Sequence, residues 1–135
     1  MKMNINKEEI QSYAIEQLER VSGEATKNCY QCGNCTGGCP VSYEMDISPS
    51  RIIRMLQIGK VDEVRAANSM WLCVGCLQCH SRCPKSVSVA SVLDALRQAT
   101  LRSGADHTDM NELPMPFLKN APQQAIVCGF RKFVS

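Results

Sequence analysis

The sequence predicts an all-α protein: short amphipathic helices with two cysteine-rich loops between them and an irregular tail. Three observations carry that expectation. Apolar residues recur near the helical period in four stretches. No stretch alternates apolar and polar residues over the length of a strand. One cysteine pattern also appears twice between the helical stretches. It runs Cys29-Tyr-Gln-Cys32-Gly-Asn-Cys35-Thr-Gly-Gly-Cys39-Pro40, then Cys73-Val-Gly-Cys76-Leu-Gln-Cys79-His-Ser-Arg-Cys83-Pro84.

The first helix is expected from Lys7 to Ser22, with Ile10, Tyr13, Ala14, Leu18 and Val21 as its apolar stripe and Gly23 as its stop. Core packing is the plain use of such a stripe; a partner-facing surface is the alternative. After the first cysteine loop, Ser48-Pro49 has the form of an N-cap with proline at the first helical position. Ile52, Ile53, Met55 and Leu56 then form an apolar face, and Gly59 ends the helix. Asp62 is placed to cap a further short helix running through Glu63, Val64 and Ala67 toward Trp71. Beyond the second loop, Val89, Val92, Leu93, Leu96 and Thr100 trace a fourth helix, closed near Gly104. The 33 residues between Cys39 and Cys73 accommodate two helices, so each half reads helix, cysteine loop, helix. That is an approximate internal duplication. From about Ala105 an irregular tail is expected, because Pro114, Pro116 and Pro122 break any long helix.

A chain of 135 residues is one modest domain, drawn here as residues 1–104 with a tail over 105–135. Nine cysteines could suggest a secreted disulfide framework. Against that, eight of them fall in the two tight repeats, and the opening MKMNINKEEIQ has no apolar leader core. A reducing cytoplasm is the expected location. No apolar run approaches the roughly 18 residues of a spanning helix. The formal net charge of +2 counts every cysteine as neutral. Two oxidised cubanes with their thiolates, each carrying about −2, would make the chain net acidic. Basic residues are dispersed rather than gathered on one face, so nucleic acid is not an expected partner.

Both repeats match C-x2-C-x2-C-x3-C-P, the run that ligates 4Fe–4S clusters in two-cluster ferredoxins. In such pairs the first three cysteines hold one cluster and the fourth, before proline, goes to the other. The expected ligand sets are therefore Cys29, Cys32, Cys35 and Cys83 for one cluster, and Cys73, Cys76, Cys79 and Cys39 for the other. Zinc is the competing metal, but its ribbons pair two separated C-x2-C units rather than packing four cysteines into one run. Pro40 and Pro84 restrict the backbone where it leaves each site. Gly33, Gly37, Gly38 and Gly75 would let the backbone turn tightly against a cluster, or are simply loop glycines. His80 and Arg82 either tune the second cluster or are solvated loop side chains. Cys128 has no partner motif and is expected as a buried or free thiol; Trp71 is expected as a packing anchor beside Cys73. No phosphate loop or nucleophile elbow is present. With eight cysteines consumed as ligands, no catalytic residue is assigned.

At this point the residues resemble a known family. CYQCGNCTGGCPVSYEMDISPSRIIRMLQIGKVDEV and SMWLCVGCLQCHSRCPKSVSV are similar to the C subunit of heterodisulfide reductase, over roughly Lys7 to Leu101. The more specific parts are Cys39-Pro-Val-Ser-Tyr43, Asp46-Ile-Ser-Pro-Ser-Arg-Ile-Ile53 and the Trp71-x-Cys73 entry. The resemblance implies an α-helical ferredoxin with two 4Fe–4S clusters, acting as a non-catalytic electron-transfer subunit. Its implied electron source is the flavin- and cluster-bearing A subunit of such a reductase. Its implied acceptor is the catalytic B subunit, which reduces a disulfide, in methanogenesis that of coenzymes M and B. Hydrogenase, formate dehydrogenase or another donor could feed the larger assembly. Two alternatives stand beside it. One is an iron–sulfur subunit of the succinate/fumarate or glycolate type, which usually carries further domains. The other is a non-redox module stapled by its clusters. The tail matches no motif. Its apolar content, from Met110 and Leu113 to Phe130 and Phe133, makes a partner-docking arm the expectation.

Overall fold

In the computed structural model, which describes residues 12–134, every regular element among those residues is an α-helix or a 3-10 turn. The all-α expectation is met. The chain divides into two compact units, up to Leu96 and from Arg97 onward.

In the first unit, α1 spans Tyr13–Ser22 and ends at Gly23, whose N–H donates to the Glu19 carbonyl at 2.9 Å. The expected stripe is corrected here. Ile15 and Leu18 face the core, while Tyr13 and Val21 are 75% and 55% exposed. The expected start at Lys7 and the stripe residue Ile10 lie outside the described residues. A 3-10 turn at Thr26–Asn28 leads into the first cysteine loop, which contains the short helix α2, Asn34–Gly37.

Helix α3, Pro49–Gln57, starts with proline in its first turn as expected. Its Ile52, Ile53 and Leu56 are the centre of the core, at most 1% exposed. Taking each such side chain out of water contributes about 2 kcal/mol. The single helix expected from Asp62 toward Trp71 is in fact two, α4 (Val61–Ala66) and α5 (Ser69–Leu72). Asp62 lies inside the first turn of α4, with Lys60 at the N-cap position. The second loop contains α6, Gln78–Ser81, and is followed by α7, Val89–Arg102. Val89, Val92, Leu93 and Leu96 of α7 are buried, as their spacing predicts. Helix α2 packs on both α3 and α6, so the two cysteine loops lie side by side.

The second unit differs from the expected irregular tail. It carries a 3-10 turn, Met110–Glu112, and two helices, α8 (Met115–Asn120) and α9 (Gln123–Phe133). The prolines do prevent one long helix. They also start the short ones: Pro114 and Pro122 are the N-cap residues and Pro116 sits in the first turn of α8, where a missing N–H costs nothing. No described residue from 97 onward is fully buried. Leu113, Phe117, Ile126, Phe130 and Phe133 instead line an apolar cavity of about 280 Å³. The His107 N–H donates to the Phe133 carbonyl at 2.9 Å, tying the end of α9 to the chain before it.

Candidate metal centre

The two cysteine loops have the same backbone. In each, the second residue after the first cysteine is left-handed, Gln31 at φ +65° and Gly75 at +68°. The fourth is left-handed too, Gly33 at +83° and Leu77 at +61°. That residue opens a one-turn helix carrying the third cysteine, Cys35 or Cys79. The closing hydrogen bonds also match. Thr36 and Gly37 donate to the Gly33 carbonyl at 3.1 Å, and His80 and Ser81 to the Leu77 carbonyl at 3.0 and 3.1 Å. Cys39 donates to the Thr36 carbonyl at 3.2 Å, and Cys83 to that of His80 at 3.1 Å. The duplication expected from spacing is thus a duplication of conformation.

Of the four loop glycines, Gly33 and Gly75 take the left-handed turn. Gly38 serves differently. The Arg82 side chain of the second loop lies across it, so a Cβ there would meet Arg82 Cδ and stand 2.8 Å from Nε. Arg82 therefore bridges the loops rather than only solvating its own. No comparable demand falls on Gly37, which has open space around it.

Cys39 and the three cysteines Cys73, Cys76 and Cys79 line one cavity. Its other walls include Val41, Met45, Val74 and Leu93, an apolar surround. The Tyr30 phenol of the first loop lies within electrostatic reach of Cys32, Cys83 and Cys29. Partial desolvation and these thiols push its pKa above the ordinary value. Cys35 is half-buried, and desolvation pushes its thiol up against the opposing pull of the Thr36 amide and hydroxyl. Cys39 thus shares a cavity with the first three cysteines of the opposite run. Among the described residues no three His, Cys, Asp or Glu side chains gather closely enough to hold a single metal ion.

Polar side chains pin the loops in place. Gln57, at the end of α3, donates to the carbonyls of Thr26 at 2.9 Å and Cys29 at 2.8 Å. Glu19 accepts from both the amide and the hydroxyl of Thr26, at 2.9 and 2.7 Å. The Thr36 hydroxyl accepts from the Ser50 N–H at 3.0 Å, capping α3 from within the first loop. Ser48, expected as that cap, makes no side-chain cap bond. Asp46 accepts from the Asn68 N–H at 2.8 Å, the Ile47 N–H at 3.1 Å and the Ser69 hydroxyl, joining the exit of the first loop to the entry of the second. Glu24 accepts from the Ser88 N–H at 3.0 Å, just ahead of α7, a position where the helix dipole favours a negative charge.

Loop sulfurs accept backbone hydrogen bonds, Cys29 from the Gln31 N–H at 3.4 Å and Cys83 from the Val87 N–H at 3.3 Å. The Gln31 side-chain amide adds a third at 3.3 Å to Cys29. Trp71 is buried two residues before Cys73, as a packing anchor would be. His80 is exposed on α6, and Cys128 is exposed on α9 in the second unit. Sequence reasoning missed Thr36, Gln57, Glu24 and the role of Gln31. Only Asp46, a short acidic residue just ahead of a proline-started helix, carried a local signal.

These features define a helical iron–sulfur protein with two matched four-cysteine loops. Residues 25–87 match the model of the 4Fe-4S dicluster domain. The iron–sulfur C subunit of the CoB–CoM heterodisulfide reductase from Methanopyrus kandleri is 38% identical over 90 residues, covering 67% of this chain and 45% of that protein. The C subunit of the H2:CoB-CoM heterodisulfide,ferredoxin reductase from Methanothermobacter thermautotrophicus is 31% identical over 100 residues, 74% of this chain and 54% of that one. Its counterpart in the ferredoxin:CoB-CoM heterodisulfide reductase of Methanosarcina mazei is 31% identical over 105 residues, covering 76% and 65%. The chain belongs to the family of heterodisulfide reductase C subunits. It spans about half the length of the first curated relatives it matches. Its cofactors are two 4Fe–4S clusters, and the eight cysteines of the two runs match the thiols they require. No helix among the described residues is long and apolar enough to cross a membrane.

Proposed function

We propose that this chain is the electron-transfer member of a heterodisulfide reductase complex. In this role it passes electrons through its two clusters, from the flavin- and cluster-bearing A subunit to the catalytic, disulfide-reducing B subunit. It is itself non-catalytic and works in the cytoplasm. Cys29, Cys32, Cys35 and Cys83 hold one cluster; Cys73, Cys76, Cys79 and Cys39 hold the other. The observation that carries this is the cavity that brings Cys39 of the first run to Cys73, Cys76 and Cys79, the first three cysteines of the second. That cavity supports an exchange of fourth cysteines between the two runs. Such an exchange brings two cubanes close together, as a relay needs, and uses every loop thiol, leaving no iron position open to substrate.

Anaerobic purification with the candidate flavin-bearing and disulfide-reducing partners, combined with single cysteine variants, tests both parts. The chain should co-purify with both partners and hold about eight irons and eight sulfides. Cys39→Ala should mainly damage the cluster of Cys73, Cys76 and Cys79, and Cys83→Ala the cluster of Cys29, Cys32 and Cys35. Zinc without acid-labile sulfide, or each fourth cysteine acting only within its own run, would sink the assignment. Clusters that cannot be reversibly reduced would favour a structural staple instead.

A further inference from the structure

The matched loops differ at one position in a way that costs the first loop something. Two residues after the leading cysteine, both backbones turn left-handed. The second loop uses Gly75 there, the residue that adopts this conformation freely. The first uses Gln31, which carries a Cβ through the same turn at φ +65° and so holds backbone strain. What the strained residue adds is a side chain aimed at a sulfur. Its Nε2 stands 3.3 Å from Cys29 Sγ, beside the backbone N–H at 3.4 Å. Glycine could supply only the backbone bond.

A hydrogen-bond donor on a cluster thiolate stabilises negative charge, and the reduced state carries one more negative charge than the oxidised. Donors to the sulfurs therefore raise the reduction potential. We propose that Gln31 is a potential-setting residue: its side-chain amide donates to the Cys29 sulfur and holds the first cluster at a higher potential than the loop backbone alone would. Gly75, at the matching place in the second loop, has no side chain to make such a bond.

This rests on Cys29 being a cluster ligand. That premise fails separately, if Cys29→Ala keeps its full iron content. The test uses the anaerobically prepared chain with both clusters. Gln31→Gly removes the amide and relieves the strain; Gln31→Leu removes the amide and keeps the strain. Redox titration followed by visible absorption and paramagnetic resonance should show two transitions. In both variants one of them should fall, with a roughly tenfold drop in its reduced-to-oxidised ratio at fixed potential, or 59 mV for one electron. The other should stay in place. Thermal unfolding should separate the two substitutions, with Gln31→Gly more stable than Gln31→Leu. If neither transition moves in either variant, or both move together, Gln31 does not set the first potential.

Discussion

At the scale of single residues, the paired loops show how much of a cluster site is backbone conformation. Four positions take left-handed angles, and only two of them are glycine. A Cβ at Gly33 or Gly75 would meet nothing within 4 Å. Against the rest of the chain, the cost of adding one is therefore the strain of the turn itself. Gly33→Ala and Gly75→Ala should each destabilise the folded chain by about 1 kcal/mol while leaving iron and sulfide content intact. Anaerobic thermal unfolding alongside metal analysis checks this. A loss well above that size, or a lost cluster, would mean the glycine meets something the open space does not suggest. The site cysteines were legible because their spacing is rigid and repeated. Gln31 was not, because an i to i+2 side-chain bond to sulfur leaves no pattern in a sequence, and glutamine is ordinary in a loop.

At the scale of elements, the helices are held to the loops by side chains far apart in sequence. Asp46 is the clearest case. Partial desolvation raises its carboxyl, but the Ser69 hydroxyl and the amides of Asn68 and Ile47 outweigh it and hold the pKa below the usual carboxylate range. A pKa depressed on folding means that ionised Asp46 favours the folded state. That contribution is complete above the unfolded value near ~3.9 and is lost as pH falls through the folded one. Asp46 is exposed, so solvent screening keeps the effect to about 1 kcal/mol. Asp46→Asn should therefore be less stable than the native chain at pH 7, and the gap should close as pH drops below ~4. A gap that persists unchanged in acid would show that charge is not what Asp46 contributes. Of the helices, α3 and α7 were legible because a full apolar face recurs at helical period in each. For α1 the expected stripe was out of phase. Leu18 is buried as expected, but Tyr13 and Val21 fit the period as well as Ile15 does, and only packing chose Ile15.

At the scale of the whole molecule, the two units differ in kind. The first has a dry core centred on Ile52, Ile53 and Leu56. The second has no fully buried described residue, and Met115, Phe117 and Val127 are 62%, 53% and 44% exposed. Apolar side chains left at the surface in that proportion support the partner-docking arm expected from the sequence, and we propose that role for the tail. Deleting Met110 to Ser135 should leave both clusters' spectra unchanged and weaken co-purification with the flavin-bearing and disulfide-reducing partners by tenfold or more, roughly 1.4 kcal/mol. A truncated chain that loses its clusters yet binds its partners normally would assign the tail to the cluster domain instead.

By itself the sequence determined the helical class, the two cysteine loops, the cluster type and the family. Each of these is written in local spacing, which one short stretch of chain can express. Tertiary structure alone decided that Arg82 crosses Gly38, that Thr36 rather than Ser48 caps α3, and that the prolines of the tail begin helices. These depend on contacts between segments many residues apart, and their geometry exists only once the chain has closed on itself.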